Sequence, residues 1–154
     1  MIVLPSIRLA TARDAYAIAE MSRDQIEQGL GWSWTAARVL RAIRHPATNV
    51  AVAHDGDELV GFGIMEYGED KAHLTLLAVH PGRREGGIGR HLLEWLEECA
   101  RTAGLERIVL EARADNPVAL AFYGLQGYRR TGTVPGYYGG RIAALRLSKR
   151  LAGP

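Results

Sequence analysis

Along the chain the apolar positions change period several times, and each change marks an element. Ile7 to Leu9 reads as a short strand. Thr11 followed three residues later by Asp14 resembles a capping box with Asp in place of Glu, and Ala15, Ile18, Ala19, Met21, Ser22 and Ile26 continue at helical spacing. Gly29-Leu30-Gly31 ends that helix. Ser33 or Thr35 can cap a second one, with Val39, Leu40 and Ile43 on its inner face, until His45-Pro46 stops it. The period then becomes two. Val50 to Ala53, the turn Asp55-Gly56-Asp57 and Leu59 to Tyr67 predict a hairpin, and Ala72 to Val79 a third strand of an antiparallel meander. From Gly87 the pattern is helical again, with Ile88, Leu92, Trp95, Leu96, Cys99 and Ala103 on one stripe and Glu94, Glu97, Glu98 and Arg101 mostly off it, closing at Gly104. Arg107 to Ala112 predicts a strand. Asn116-Pro117 starts a helix to Gln126 that Gly127 terminates. Two last strands, about Arg129 to Val134 and Ile142 to Leu147, flank a loop over Pro135 to Gly140. The order predicts an α/β fold with a mixed, mostly antiparallel sheet flanked by helices.

Composition narrows the function. With 154 residues the chain is expected to be one domain, residues 1–154, carrying its whole function on one core. Nineteen Lys and Arg against seventeen Asp and Glu leave +2, too little for a protein that must neutralise several phosphates of a nucleic acid at once. The longest run without a charged side chain, Asn116 to Tyr128, contains Pro and Gly, so no membrane span is expected. Met1 to Arg8 lacks the features of a signal peptide. The one cysteine, Cys99, is expected in the core and suits a cytoplasmic location. No pattern of His and carboxylates resembles a metal site.

The segment from Val79 to Arg90 leaves a buried strand, turns through glycines and enters a helix. Unsatisfied N–H groups at a helix start, aided by the helix dipole, bind phosphate. Gly86, Gly87 and Gly89 let the backbone approach an anion, and Arg84 and Arg90 add charge-assisted contacts. Neither a dinucleotide fingerprint nor a P-loop fits, since Gly87-Ile88-Gly89 lacks a third glycine in register and no Gly-Lys-Ser/Thr follows.

Arg84-x-x-Gly87-x-Gly89, after a strand ending Ala78-Val79-x-Pro81, resembles the acetyl-CoA signature of the GNAT N-acetyltransferase superfamily. A second signature of that superfamily appears as Asn116-Pro117-x-Ala119-x-x-Phe122-Tyr123 followed by Gly127-Tyr128. The resemblance covers nearly the whole chain and implies the GNAT (acyl-CoA N-acyltransferase) fold. It implies acetyl-CoA as cosubstrate, with no metal. The backbone of Leu77, Ala78 and Val79 would pair with pantetheine where two strands splay apart. The stretch Arg84, Glu85, Gly86, Gly87, Ile88, Gly89 and Arg90 would wrap the pyrophosphate, and Asn116 and Tyr123 would complete the cofactor site. Glu85 departs from the basic or amide residue common there and is given a backbone role only.

Acetyl transfer needs a neutral amine and a protonated leaving thiolate. Tyr123 can supply the proton without a large shift from its ordinary pKa of about 10, and the resemblance places it beside the CoA sulfur; a packing tyrosine is the alternative. Glu111 points off the apolar face of its strand, opposite Ile108 and Leu110. The stretch Leu110 to Asn116 is similar to the segment of ribosomal-protein alanine N-acetyltransferases (RimI type) whose glutamate is the general base, which implies that role for Glu111; a solvated or salt-bridged glutamate is the alternative. Glu66, Glu69, Asp70 and His73 are reserve bases, while His73 and His80 read more simply as solvated strand-end residues. Tyr137-Tyr138 look like the paired tyrosines of the same enzymes. By the fold, the acceptor lies between Gln28–Trp34 and Pro135–Gly140, which makes Trp32, Trp34, Tyr137 and Tyr138 the expected acceptor contacts. The implied partner is a peptide or small-molecule amine, and a homodimer is allowed. Lysine or polyamine acetylation, or a non-catalytic acyl-CoA-binding regulator, are the alternatives.

Overall fold

The computed structural model describes residues 4–151. Its elements are β1 (Ser6–Leu9), α1 (Ala15–Gln25), α2 (Ala36–Arg44), β2 (Thr48–Asp55), β3 (Glu58–Tyr67), β4 (Lys71–Val79), α3 (Ile88–Thr102), β5 (Arg107–Arg113), α4 (Pro117–Leu125), β6 (Arg129–Tyr138) and β7 (Ile142–Arg150). The strands form one sheet in the order β1-β2-β3-β4-β5-β7-β6, antiparallel throughout except where β4 meets β5. A 3-10 turn over Ala12–Asp14 precedes α1. There Thr11 and Asp14 form the expected capping box, the Thr11 N–H donating to Asp14 Oδ2 at 2.8 Å. Thr35, rather than Ser33, caps α2 by accepting from the Arg38 N–H at 3.4 Å.

The sheet divides two cores. One lies against α3 and α4 and includes Leu92, Leu96, Ile108 and Leu110; the other lies against α1 and α2 and includes Ile18, Val39, Phe62 and Ile64. Burying both faces suits the near-continuous apolar runs of β2 and β3.

Two expectations are corrected. On α3 the buried side is Ile88, Leu92, Leu93, Leu96, Glu97 and Ala100, whereas Trp95 and Cys99 are half-buried and Ala103 is exposed. Glu97 can be buried because Lys149 Nζ lies 3.0 Å from it and the Tyr128 hydroxyl donates to it at 2.9 Å. The Pro135–Gly140 stretch is also not all loop. β6 continues to Tyr138 through an irregularity after Val134, and the turn to β7 is made at Gly139 and Gly140, both at positive φ. Among the described residues no helix is long and apolar enough to cross a membrane.

Candidate active site

The site opens where β4 leaves β5. The two strands pair only from Lys71 to His73 against Arg107 to Val109 and then diverge. A bulge begins the divergence: Met65 faces Leu74 and Ile64 faces Leu76, so Thr75 is an extra residue in β4. Because side chains alternate along a strand, the extra residue exchanges faces. Ala72 and Leu74 join the core under α3, while Leu76 and Ala78 join the core under α1 and α2. The backbone alternates too. The His80 N–H donates to the Val60 carbonyl, and the Leu76 and Ala78 carbonyl oxygens lie beside Gly63 and Gly61 of β3. The N–H and C=O groups of Leu77 and Val79 therefore point across the open gap.

One end of the gap is a cleft of about 470 Å³ bordered by Leu77, Ala78, Val79, Arg84, Gly89 and Arg90. A 3-10 turn over Pro81–Gly86 leads to Gly87 at φ +81°, and α3 starts at Ile88. The first N–H groups of that helix lack intrahelical acceptors. Ile88 itself is 3% exposed and anchors the helix start in the core. A Cβ at Gly89 would lie 3.4 Å from both Phe122 and Val79, so a larger residue would narrow the channel. Arg84 donates to the Gln25 side chain, and Arg90 pairs with Glu94 at 2.8 Å. The side chain of Glu85 lies outside the described residues. Free N–H groups and two arginines fit a pyrophosphate, and the unpaired β4 backbone beside Phe122 fits an extended amide-bearing arm.

The other end is a cleft of about 550 Å³ that shares Gln25, Leu77, Asn116, Ala119 and Tyr123 with the first. The two clefts thus meet at Tyr123. Asn116 fixes α4 there by accepting from the Ala119 N–H at 3.1 Å. Tyr123 packs edge-on between Phe122 and Tyr128, with ring centroids 5.2 and 5.6 Å away. Burial pushes its hydroxyl well above the ordinary tyrosine range, with Tyr138 adding to the effect. That keeps a proton on it throughout the neutral range.

Glu111 faces the second cleft from β5 with a side chain only 10% exposed. It is not alone. His73 Nε2 lies 2.7 Å from its Oε1, the Tyr137 hydroxyl donates to the same oxygen at 3.1 Å, and Arg146 Nε is 3.7 Å from Oε2. The His73 hydrogen bond holds the carboxyl below the usual glutamate range against the opposing effect of burial, with Tyr137 and Arg146 adding to the lowering. Reciprocally, Glu111 raises the His73 imidazole above its ordinary value against desolvation, and Glu66 raises it further. Reading His73 as a solvated strand-end residue is therefore corrected: it is the hydrogen-bonded partner of Glu111. Glu69 and Asp70 lie at the turn between β3 and β4, and His80 accepts from the Gly82 N–H at 3.2 Å. None of these three lines the cleft.

Trp34, Tyr137 and Tyr138 line this second cleft, and the Arg38 guanidinium lies 3.8 Å from the Trp34 ring centroid. Trp32 does not. Its indole N–H donates to the Ala19 carbonyl at 3.2 Å, Arg23 sits over its ring, and it is 41% exposed away from the cleft. Of the four residues expected to contact the acceptor, Trp32 is therefore the one the structure does not bring to this cleft. Sequence reasoning also missed Glu27, a buried carboxylate lining the cleft. Its Oε1 accepts from the Ser33 N–H at 2.7 Å and the Ser33 hydroxyl at 2.8 Å, and its Oε2 accepts from Ser22 at 3.0 Å. It ties the α1–α2 connection into one shape. Arg113 and Arg141 hold the same connection from outside by donating to the Gln28 and Gly29 carbonyls. Its serine partners stand five and six residues away in the sequence, so no pattern of adjacent residues marks it.

The chain belongs to the acetyltransferase (GNAT) family, whose model matches residues 12–128. Its sheet, mixed and mostly antiparallel with four flanking helices, is the GNAT fold. Among relatives, the N-alpha-acetyltransferase RimI of Mycobacterium tuberculosis is 35% identical over 109 residues, covering 68% of this chain and 67% of that protein. An uncharacterised Mycobacterium leprae protein is 35% identical over 123 residues, 77% of this chain but only 33% of that protein. Of solved structures, the ribosomal-protein-S18-alanine N-acetyltransferase of Escherichia coli superposes with a TM-score of 0.84 at 22% identity, covering 98% of this chain and 96% of that one. The PaiA N-acetyltransferase of Thermoplasma acidophilum in complex with coenzyme A superposes with a TM-score of 0.81 at 19% identity, covering 96% and 99%.

Proposed function

We propose that the protein is a cytoplasmic acetyl-CoA-dependent N-acetyltransferase that acetylates a primary amine, a polypeptide α-amine or a small amine, by direct attack in a ternary complex. The observation that carries this reading is the meeting of the two clefts at Tyr123 with Glu111 on the facing strand. Glu111 takes the proton of the amine. A single backbone N–H of the unpaired β4 edge, at Leu77 or Val79, donates to the acetyl oxygen as negative charge develops on it, and the other is left for the cofactor's amide-bearing arm. The amine nitrogen bonds to the carbonyl carbon, the C–S bond breaks, and Tyr123 gives its proton to the leaving sulfur. Pyrophosphate is held by the N–H groups from Gly87 to Arg90 with Arg84 and Arg90.

A carboxylate held below its usual range is a weak base. It matches an α-amine, with a pKa of about 7.7–8.0, better than a lysine at about 10.4. The kinship to RimI supports the same choice. A thiol-release assay with acetyl-CoA across peptide N-termini, free amino acids and polyamines tests the reading, with peptide α-amines expected to release thiol fastest. If acetyl-CoA binds and no acceptor releases thiol above background, the chain is an acyl-CoA-binding regulator instead. Faster release with lysine side chains or polyamines would reassign the acceptor.

A further inference from the structure

The reaction drawn above leaves His73, Thr75 and Glu66 unused, although they form one connected chain with Glu111. Both ring nitrogens of His73 are occupied. Nε2 lies 2.7 Å from Glu111 Oε1, while Nδ1 lies 3.2 Å from Thr75 Oγ1 and 3.6 Å from Glu66 Oε2. Thr75, the bulge residue, donates to Glu66 Oε2 at 2.6 Å, and the Glu66 side chain is 54% exposed. His73 lines the cleft, but with both ring nitrogens engaged it has none free to take the proton of the amine. It can control the charge beside the group that does. The charged groups facing the ring are Glu66 from β3 and Glu111 from β5; beyond Glu111 stand Arg146 from β7 and the Tyr137 hydroxyl from β6.

We propose that His73 is a positioning residue whose charge switches Glu111 between a locked and a working base, and that Thr75 and Glu66 carry the His73 proton to solvent. This rests on Glu111 being the base. In the locked form the imidazolium donates Nε2–H to Glu111 and Nδ1–H toward Thr75. To unlock, the Nδ1 proton passes to Thr75 Oγ1 as the Thr75 hydroxyl proton passes to Glu66, which releases it to water. Neutral His73 keeps its Nε2–H on Glu111, fixing the carboxylate in the cleft without the cation that weakens it. Glu111 then accepts the proton of the ammonium, and the neutral amine attacks.

The extra residue leaves Thr75 next to His73 at the last rung where β4 still pairs with β5, so the ring bridges a carboxylate on each neighbouring strand.

The test uses the full chain and two readouts. Imidazole NMR of the substrate-free protein over a pH series is expected to show His73 titrating above the ordinary histidine value of about 6.5, and Glu66→Gln to lower that midpoint. The kcat/KM profile is then measured with one α-amine peptide, so that the acceptor's own titration is common to every variant. The acid limb of the wild type is expected to follow the His73 midpoint, Glu66→Gln to shift it down by the amount seen in NMR, and His73→Gln to remove that component. The ratio of rates between about pH 8 and about pH 6 then shrinks by about tenfold for each pH unit of limb removed. An acid limb unchanged in both variants overturns the proposal, as does a His73 midpoint that Glu66→Gln leaves in place. Exposed Glu66 keeps the test decisive if His73→Gln misfolds. Failure of the underlying reading looks different: Glu111→Gln would then keep wild-type kcat/KM at every pH.

Discussion

Tyr123 and Glu111 line the same cleft from a helix and a strand, and the two are tested by different substitutions. Tyr123→Phe removes only the hydroxyl and keeps the edge-on packing against Phe122 and Tyr128. It is expected to lower kcat by about a hundredfold or more while the acetyl-CoA affinity, measured by calorimetry, stays within about twofold because backbone groups supply most of that contact. An unchanged kcat would remove Tyr123 as the acid. Glu111→Gln keeps the shape and loses the carboxylate proposed as the base. Its loss in kcat/KM is expected to grow as pH falls toward the His73 midpoint, since more of the amine is then protonated while Glu111 is still unlocked, and to stop growing below it; a constant factor at all pH values would point to a structural role. Glycine also acts at this scale, and only in places. Gly127 at φ +92° ends α4 as its sequence context predicts, and Gly87 at φ +81° turns the chain into α3.

At the level of elements, the start of α3 borders the cleft proposed for phosphate and the α1–α2 connection borders the cleft proposed for the acceptor. Gly87→Ala forces a side chain into the left-handed region at a cost of about 1–3 kcal/mol. Because the distortion falls at the start of α3, weaker acetyl-CoA binding by calorimetry is expected, with the acceptor KM little changed. Glu27→Ala does the reverse. It strips the Ser33 N–H and the Ser22 and Ser33 hydroxyls of their acceptor, so the connection loosens and the acceptor KM rises while acetyl-CoA affinity holds. Steady-state kinetics with each substrate varied in turn distinguishes the two variants.

For the molecule as a whole, β1, β2 and the start of α1 are fastened at Asp14. Arg8 lies 2.9 Å from it and His54 3.5 Å. Burial opposes ionisation of Asp14, but the hydrogen bonds from Arg8 and the Thr11 N–H outweigh it, and the net effect is a carboxyl held below its ordinary value. A carboxyl lowered by folding contributes stability that is present above the unfolded value of about 3.9 and is lost as pH falls through the folded one. Urea midpoints are therefore expected to fall between about pH 6 and about pH 3, and Asp14→Asn to lower stability at the higher pH while flattening that fall. An equal slope in both proteins would assign the acid sensitivity elsewhere.

What the sequence determined by itself is local in origin. Capping at Thr11 and Asn116, the ends at Gly104 and Gly127, the meander of β2 to β4 and the outward aim of Glu111 all follow from preferences within a few residues or from a period of two. The glycines and arginines around Gly87 were legible for the same reason, since an anion cradle at a helix start needs no distant partner. Only the tertiary structure decided which side chains meet. His73 and Glu111 are 38 residues apart and touch because β4 and β5 pair through His73 and then part. Trp34 lines the cleft and Trp32 does not, because Glu27 and Arg113 set the course of their shared connection. Glu97 is buried because Lys149, on a strand far along the chain, neutralises it. Register and packing are properties of the assembled sheet, and one bulge at Thr75 reverses the face of the β4 residues that follow it. No window of neighbouring residues contains that information.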